Sequence, residues 1–159
     1  MDLYAQTTSD NSATFNFNGN TDSYAWSFVA SFSWIPDQLT LEVSSITGTP
    51  VCEFYIKSDK FYFSTTYATA SWVTLSSGSN VITMTWGTPI IAGDPYWIYM
   101  SRTSNTSNVP SIAYDSTKTN YPVYRATWIW VDPDTLWFTN DIRMTVSWLA
   151  SFNPRILFI

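Results

Sequence analysis

The sequence predicts an all-β chain, folded as two antiparallel sheets packed into a sandwich. Three observations predict it: apolar residues recur at every second position, turn residues punctuate the chain at short intervals, and no stretch carries a convincing helical repeat. A length of 159 residues suits one domain, 1–159, whose core can hide roughly two-thirds of the unfolded surface.

The first clear element covers residues 26–34. There Trp26, Phe28, Ala30, Phe32 and Trp34 alternate with Ser27, Val29, Ser31 and Ser33, which predicts one bulky face and one nearly bare face. Leu39, Leu41 and Val43 repeat the pattern against Thr40, Glu42 and Ser44. The run Ile46-Thr47-Gly48-Thr49-Pro50 then supplies turn chemistry before a strand over 51–56. Further strands are expected at 60–64, 71–75, 81–86, 96–101, 111–114, 127–131 and 143–149. Between them stand Ser76-Ser77-Gly78-Ser79-Asn80, Gly87-Thr88-Pro89, Ala92-Gly93-Asp94-Pro95 and Asp132-Pro133-Asp134. About ten strands at this spacing, without crossover helices, point to a two-sheet antiparallel β-sandwich, jelly-roll-like in its wiring.

Composition narrows the function classes. The chain has 9 Trp, 10 Tyr and 10 Phe but no His, and charged residues make up only 12%. Such a chain is suited to packing and touching more than to moving protons. A net charge of -5 with seven scattered Lys and Arg argues against a nucleic-acid groove, which needs clustered cations. No apolar run has the eighteen or so residues of a membrane helix, so no membrane insertion is expected. The start, Met1-Asp2-Leu3-Tyr4-Ala5-Gln6, has neither the basic nor the apolar region of a secretory leader. A virion component released by lysis fits that start, as does an extracellular module carried without its leader. Cys52 has no partner for a disulfide, and alternation puts it on the face of Phe54 and Ile56 as an inert core thiol.

Catalysis is not expected, and no cofactor is. A Ser or Cys nucleophile would lack its usual histidine base, and the five Gly stand isolated in turns rather than in a phosphate loop. Asp132 and Asp134 flank Pro133 between Trp130 and Trp137, an arrangement that could serve a sugar-contacting loop, a small hydrolase or a weak metal site. The same spacing suits an ordinary turn. Binding is better sought in the rings. Trp128 and Trp130 share one face of their strand, and Trp97 and Tyr99 share a face of another. Nine Trp are many for one small core, so some are expected at a contact surface. Tyr121, Tyr124, Trp128, Trp130 and Trp137 are the candidate ligand-contact or partner-contact residues.

Several of these stretches, in their order and spacing, resemble one group of proteins. They are Ile90-Ile91-Ala92-Gly93-Asp94-Pro95-Tyr96-Trp97-Ile98-Tyr99, Ser111-Ile112-Ala113-Tyr114-Asp115-Ser116, Tyr121-Pro122, Thr127-Trp128 and Asn140-Asp141-Ile142-Arg143-Met144-Thr145-Val146. The group is the jelly-roll modules of tailed-phage virion proteins and bacterial surface-anchored proteins, and the likeness spans about residues 25–148. It implies a sandwich used for attachment, decoration or glycan contact within a larger assembly, and it carries no functional residue across. The expected function is therefore a non-catalytic structural, decoration or attachment protein of a bacteriophage-like virion, in capsid or tail. Its expected partners are further copies of itself or other virion proteins, with residues 1–12 and 150–159 as inter-subunit arms. The alternative is a carbohydrate-binding module that meets a cell-surface glycan through surface Trp and Tyr.

Overall fold

The fold is given by a computed structural model that describes residues 2–6, 9–15, 23–85, 87–103, 108–126 and 135–147. The described residues contain strands and turns and no helix. In chain order the strands are β1 (Asp2–Gln6), β2 (Asn11–Thr14), β3 (Ser23–Val29), β4 (Gln38–Thr47), β5 (Val51–Lys57), β6 (Thr66–Thr74), β7 (Gly78–Thr83), β8 (Pro95–Arg102), β9 (Val109–Asp115), β10 (Val123–Ala126), β11 (Thr135–Phe138), β12 (Asp141–Ile142) and β13 (Met144–Ser147). They form two sheets in which every pairing is antiparallel. One is six-stranded in the order β11-β10-β3-β8-β5-β6; the other is seven-stranded, with β1-β13-β4-β9-β12 as its path, β2 beside β9 and β7 beside β4.

Period-two alternation builds the core between the sheets. The six-stranded sheet turns inward Tyr24, Trp26, Phe28, Cys52, Phe54, Ile56, Ile98 and Met100, all buried. Leu39, Leu41, Val43, Ile112, Met144 and Val146 meet them from the seven-stranded sheet. Cys52 is thus a buried free thiol on the Phe54 and Ile56 face, as the alternation predicts. The two sheets also share a polar contact, because the Trp26 indole N–H donates to Met144 Sδ at 3.0 Å.

The seven-stranded sheet forks. β4 and β9 pair from Val43 with Ile112 to Thr47 with Val109, then separate. The segment 141–147 crosses the opening: Ile142 pairs with Tyr114 of β9, and Met144 pairs with Leu41 of β4. Arg143 sits at the branch point, its N–H donating to the Ala113 carbonyl at 2.8 Å and its carbonyl accepting the Glu42 N–H at 3.3 Å. Alternation keeps Ile142 and Met144 in the core and leaves Arg143 and Glu42 on the outer surface, both half-buried.

Three local expectations differ from the structure. The strand expected over 26–34 ends at Val29, where its partner β8 ends at Pro95, so residues 30–34 have no ladder neighbour beyond one bridge between Trp34 and Ile90. Phe32 and Trp34 consequently lie outside the core, 49% and 50% exposed. Of the residues that alternate with the rings along 26–34, Ser27 is covered whereas Val29, Ser31 and Ser33 are exposed. Residues 60–64 form bends and a turn rather than a strand. At the N-terminus, residues 2–6 and 11–14 pair with β13 and β9 of the chain's own sheet, whereas 127–131 and 150–159 lie outside the described residues.

Candidate functional site

The outer face of the six-stranded sheet is covered with rings because of register. One cross-strand row runs Thr69, Tyr55, Tyr99, Ala25, Tyr124, Leu136, one residue from each of β6, β5, β8, β3, β10 and β11. The next row on that face brings Lys57, Trp97 and Ser27 together. Small residues on β3 leave room for the large ones on either side, and cross-strand neighbours of this kind lie close enough for rings to touch. Tyr55 and Tyr99 meet edge-on with centroids 6.1 Å apart, and Trp97 and Tyr124 meet tilted at 5.7 Å.

Residues 58–65, between β5 and β6, fold back across this face. Their anchor is Lys57, only 3% exposed although it is charged. Its Nζ donates to the Tyr62 carbonyl at 2.6 Å, the Thr66 hydroxyl at 3.0 Å and the Ser64 carbonyl at 3.4 Å. Three tyrosine rings surround the same ammonium, those of Tyr55, Tyr62 and Tyr99, at 5.3, 5.4 and 5.8 Å from their centroids. Burial pushes the ammonium below the ordinary lysine value of 10.5. Local bonds complete the fold-back: Ser64 Oγ donates to the carbonyls of Asp59 and Phe61, and the Lys60 N–H donates to Asp59 Oδ1. Side chains that satisfy backbone groups so close by compete with a ladder, which is why 60–64 makes no strand.

Tyr62 packs edge-on against Tyr99 at 5.8 Å, and Lys60 reaches across to place its Nζ 4.1 Å from the Tyr124 centroid. Burial raises the phenols of Tyr55 and Tyr62 above their ordinary value of 10.0; the bond from Tyr55 Oη to Glu53 Oε2, 2.7 Å, adds to the first, and the Glu53 charge adds to the second. At the rim Phe63 is 81% exposed and Phe61 40%. The face can therefore present rim rings, with the Lys60 ammonium held against those of Phe61 and Tyr124, to a partner, while Lys57 stays buried beneath them.

The sequence candidates fall on this arrangement unevenly. Tyr124 belongs to it, half-buried between Trp97 and Lys60. Tyr121 is half-buried next to the turn that enters β10, its N–H donating to Asp141 Oδ1 at 3.2 Å. Trp128, Trp130, Asp132 and Asp134 lie outside the described residues; Trp137 is placed in β11 by its backbone alone. Sequence reasoning missed Lys57, Lys60, Phe61 and Phe63. The available signal was two lysines within a short run of four rings, Tyr55, Phe61, Tyr62 and Phe63, which is the makings of a cation–π cluster. Two aspartates are fully occupied elsewhere. Asp115 accepts from the backbone and hydroxyl of Thr117 and from Gln6, while Asp141 accepts from Asn120 and Tyr121, so together they tie down the turn 115–121.

Comparison with protein-family models, with curated proteins and with solved structures finds no match to this chain.

Proposed function

We propose that this chain is a non-catalytic structural or attachment protein of a bacteriophage-like virion, in capsid decoration or tail, and that it works through protein–protein contacts made by the ring-covered face of the six-stranded sheet. The observation that carries the reading is the state of those rings. Phe63 is 81% exposed at the edge of a cluster held in place by Lys57 and by ring-on-ring contacts. Rings already fixed before contact lose little freedom on binding, and protein interfaces are enriched in such anchors. A chain without His, and with few charges, fits a contact role better than proton-transfer chemistry. The likeness of residues 25–148 to jelly-roll virion modules supports the same reading by analogy.

The test is sedimentation of the purified chain, alone and mixed with phage particles, beside Phe61→Ser and Phe63→Ser. The wild type is expected to self-associate or to co-sediment with particles, and the double variant to lose that behaviour. A wild-type chain that stays monomeric at high concentration and ignores particles overturns the proposal.

A second reading, glycan contact outside the cell, is favoured by one specific pair. Trp97 and Tyr124 lie half-buried on the outer face with ring centroids 5.7 Å apart, and aromatic rings beside polar groups are what sugar C–H surfaces stack on. Affinity electrophoresis in polysaccharide gels tests it. Retardation that Tyr124→Ala removes supports it, and unretarded migration in every gel eliminates it.

A further inference from the structure

The opposite side of the sandwich carries a second feature, and its origin is the fork. Where β4 and β9 part, the outer surface sinks into a crevice of about 410 Å³ lined by Ser9, Asp10, Ser12, Glu42, Ser44 and Arg143 among others. A smaller depression of about 110 Å³ adjoins it, sharing Glu42 and Arg143 and adding Thr40, Ser79 and Thr145. The larger depression, open to solvent over most of its extent, has by itself the volume of a small-molecule site.

Its chemistry is polar and unfinished. The Arg143 guanidinium donates to Ser9 Oγ at 3.3 Å and forms no ion pair with Glu42. Among the described residues the Glu42 carboxylate takes no hydrogen bond and meets no cation within bridging distance. Asp10, by contrast, is committed to Ser116, whose N–H and hydroxyl it accepts at 2.7 and 2.6 Å. An acceptor-only carboxylate and a donor-only guanidinium thus face one space between hydroxyls that can act either way.

We infer that this crevice binds a neutral saccharide unit. Charge and hydrogen bonding together favour that class. An anionic ligand meets Glu42 and Asp10, a purely cationic one leaves the Arg143 donors without an acceptor, and an apolar peptide anchor finds hydroxyls instead of a greasy pocket. A sugar offers adjacent hydroxyls that donate to both Glu42 oxygens, while its own oxygens accept from Arg143 and from the serines. The site is independent of the ring-covered face, so either can fail without the other.

The experiment is an amide NMR titration of the full chain with cellobiose, maltose and lactose, with glucuronate and glucosamine as charged comparisons. Shifts are expected at Glu42, Ser44, Ala113 and Arg143 with at least one neutral disaccharide. Glu42→Gln is expected to weaken that binding about tenfold or more, the scale of a lost hydrogen bond to a charged group. Arg143→Gln provides a second variant should the first perturb folding. No shifts with any disaccharide, shifts confined to Trp97 and Tyr124, equal binding of the charged sugars, or undiminished binding by folded Glu42→Gln and Arg143→Gln each overturn the inference.

Discussion

The Lys57 ammonium donates to the Tyr62 carbonyl oxygen at 2.6 Å, and this contact governs which surface the six-stranded sheet shows. Lys57 lies at the end of β5, so its side chain would otherwise stand on an open face beside Trp97. Placing a charge where only 3% of the residue remains exposed is costly, and only strong local partners offset it. Two carbonyls, one hydroxyl and three ring faces supply them. The lysine thus acts as a post around which residues 58–65 wrap, and the wrapped segment holds Phe61 and Phe63 outward.

Replacing that post should loosen the segment before it unfolds the sandwich. Lys57→Met keeps the length of the side chain but removes the donor from the Tyr62 and Ser64 carbonyls. The expected loss of stability is about 1–3 kcal/mol, read from urea unfolding. Limited proteolysis should cut faster within 58–65 while the core strands stay protected. An unchanged midpoint together with unchanged cleavage would sink the assignment of Lys57 as the anchor.

Alkaline pH should destabilise the fold through its phenols. The hydroxyls of Tyr55, Tyr62 and Tyr96 are all raised above 10.0, chiefly by burial, so beyond that pH the unfolded chain gives up their protons before the folded chain does. The native state then binds more protons, and stability falls as pH rises. Lys57 has the opposite sign: its lowered value means that stability increases with pH in the window below 10.5. Unfolding midpoints should therefore hold or rise slightly up to about pH 10 and decline above it, the region where phenols ionise. Tyr55→Phe should make the decline shallower, and an equally steep decline in that variant would exclude Tyr55 as a source.

Much of this architecture was legible in the sequence, and the gaps have physical causes. Leu39, Leu41 and Val43 are buried as their alternation predicts, and the turn at Gly48 has the positive φ of 68° that only glycine takes readily. Alternation could not tell where a ladder ends. Phe32 and Trp34 continue the pattern of Trp26 and Phe28, but β8 offers no partner past Pro95. Short strands such as Asp141–Ile142 and Val123–Ala126 carry too few residues to show a period at all. Tyr124 was singled out as a candidate from its polar surroundings. Its neighbours were not legible there, because Lys60 and Trp97 reach it through the fold-back of 58–65 and the register of β3 between β8 and β10.

The bond from Trp26 to Met144 should couple the two sheets energetically. Met144→Leu preserves volume but leaves the buried indole N–H without its acceptor, at an expected cost of about 1–2 kcal/mol. Trp26→Phe removes the donor and part of the ring, for roughly 1–3 kcal/mol. Because each change destroys the same contact, the double variant should cost less than the sum, with a coupling of about 0.5–1.5 kcal/mol in a double-mutant cycle. Strict additivity in urea unfolding would show that the contact contributes nothing beyond packing.

Trp72 offers the clearest case of strain at the surface. It lies in a bulge of the edge strand β6, where the register slips between Cys52 with Val73 and Phe54 with Ala70, and its φ is +57°. A bulky residue in that left-handed region costs about 1–2 kcal/mol, and 70% exposure means that the ring recovers little of it by packing within the chain. Trp72→Gly should therefore stabilise the protein by about 0.5 kcal/mol, the relief of strain exceeding the added flexibility of the unfolded chain. Trp72→Val should destabilise it, since a β-branched residue tolerates positive φ least. Thermal unfolding of both variants decides the matter: a drop for Trp72→Gly would mean that the ring packs on this surface more firmly than its exposure allows.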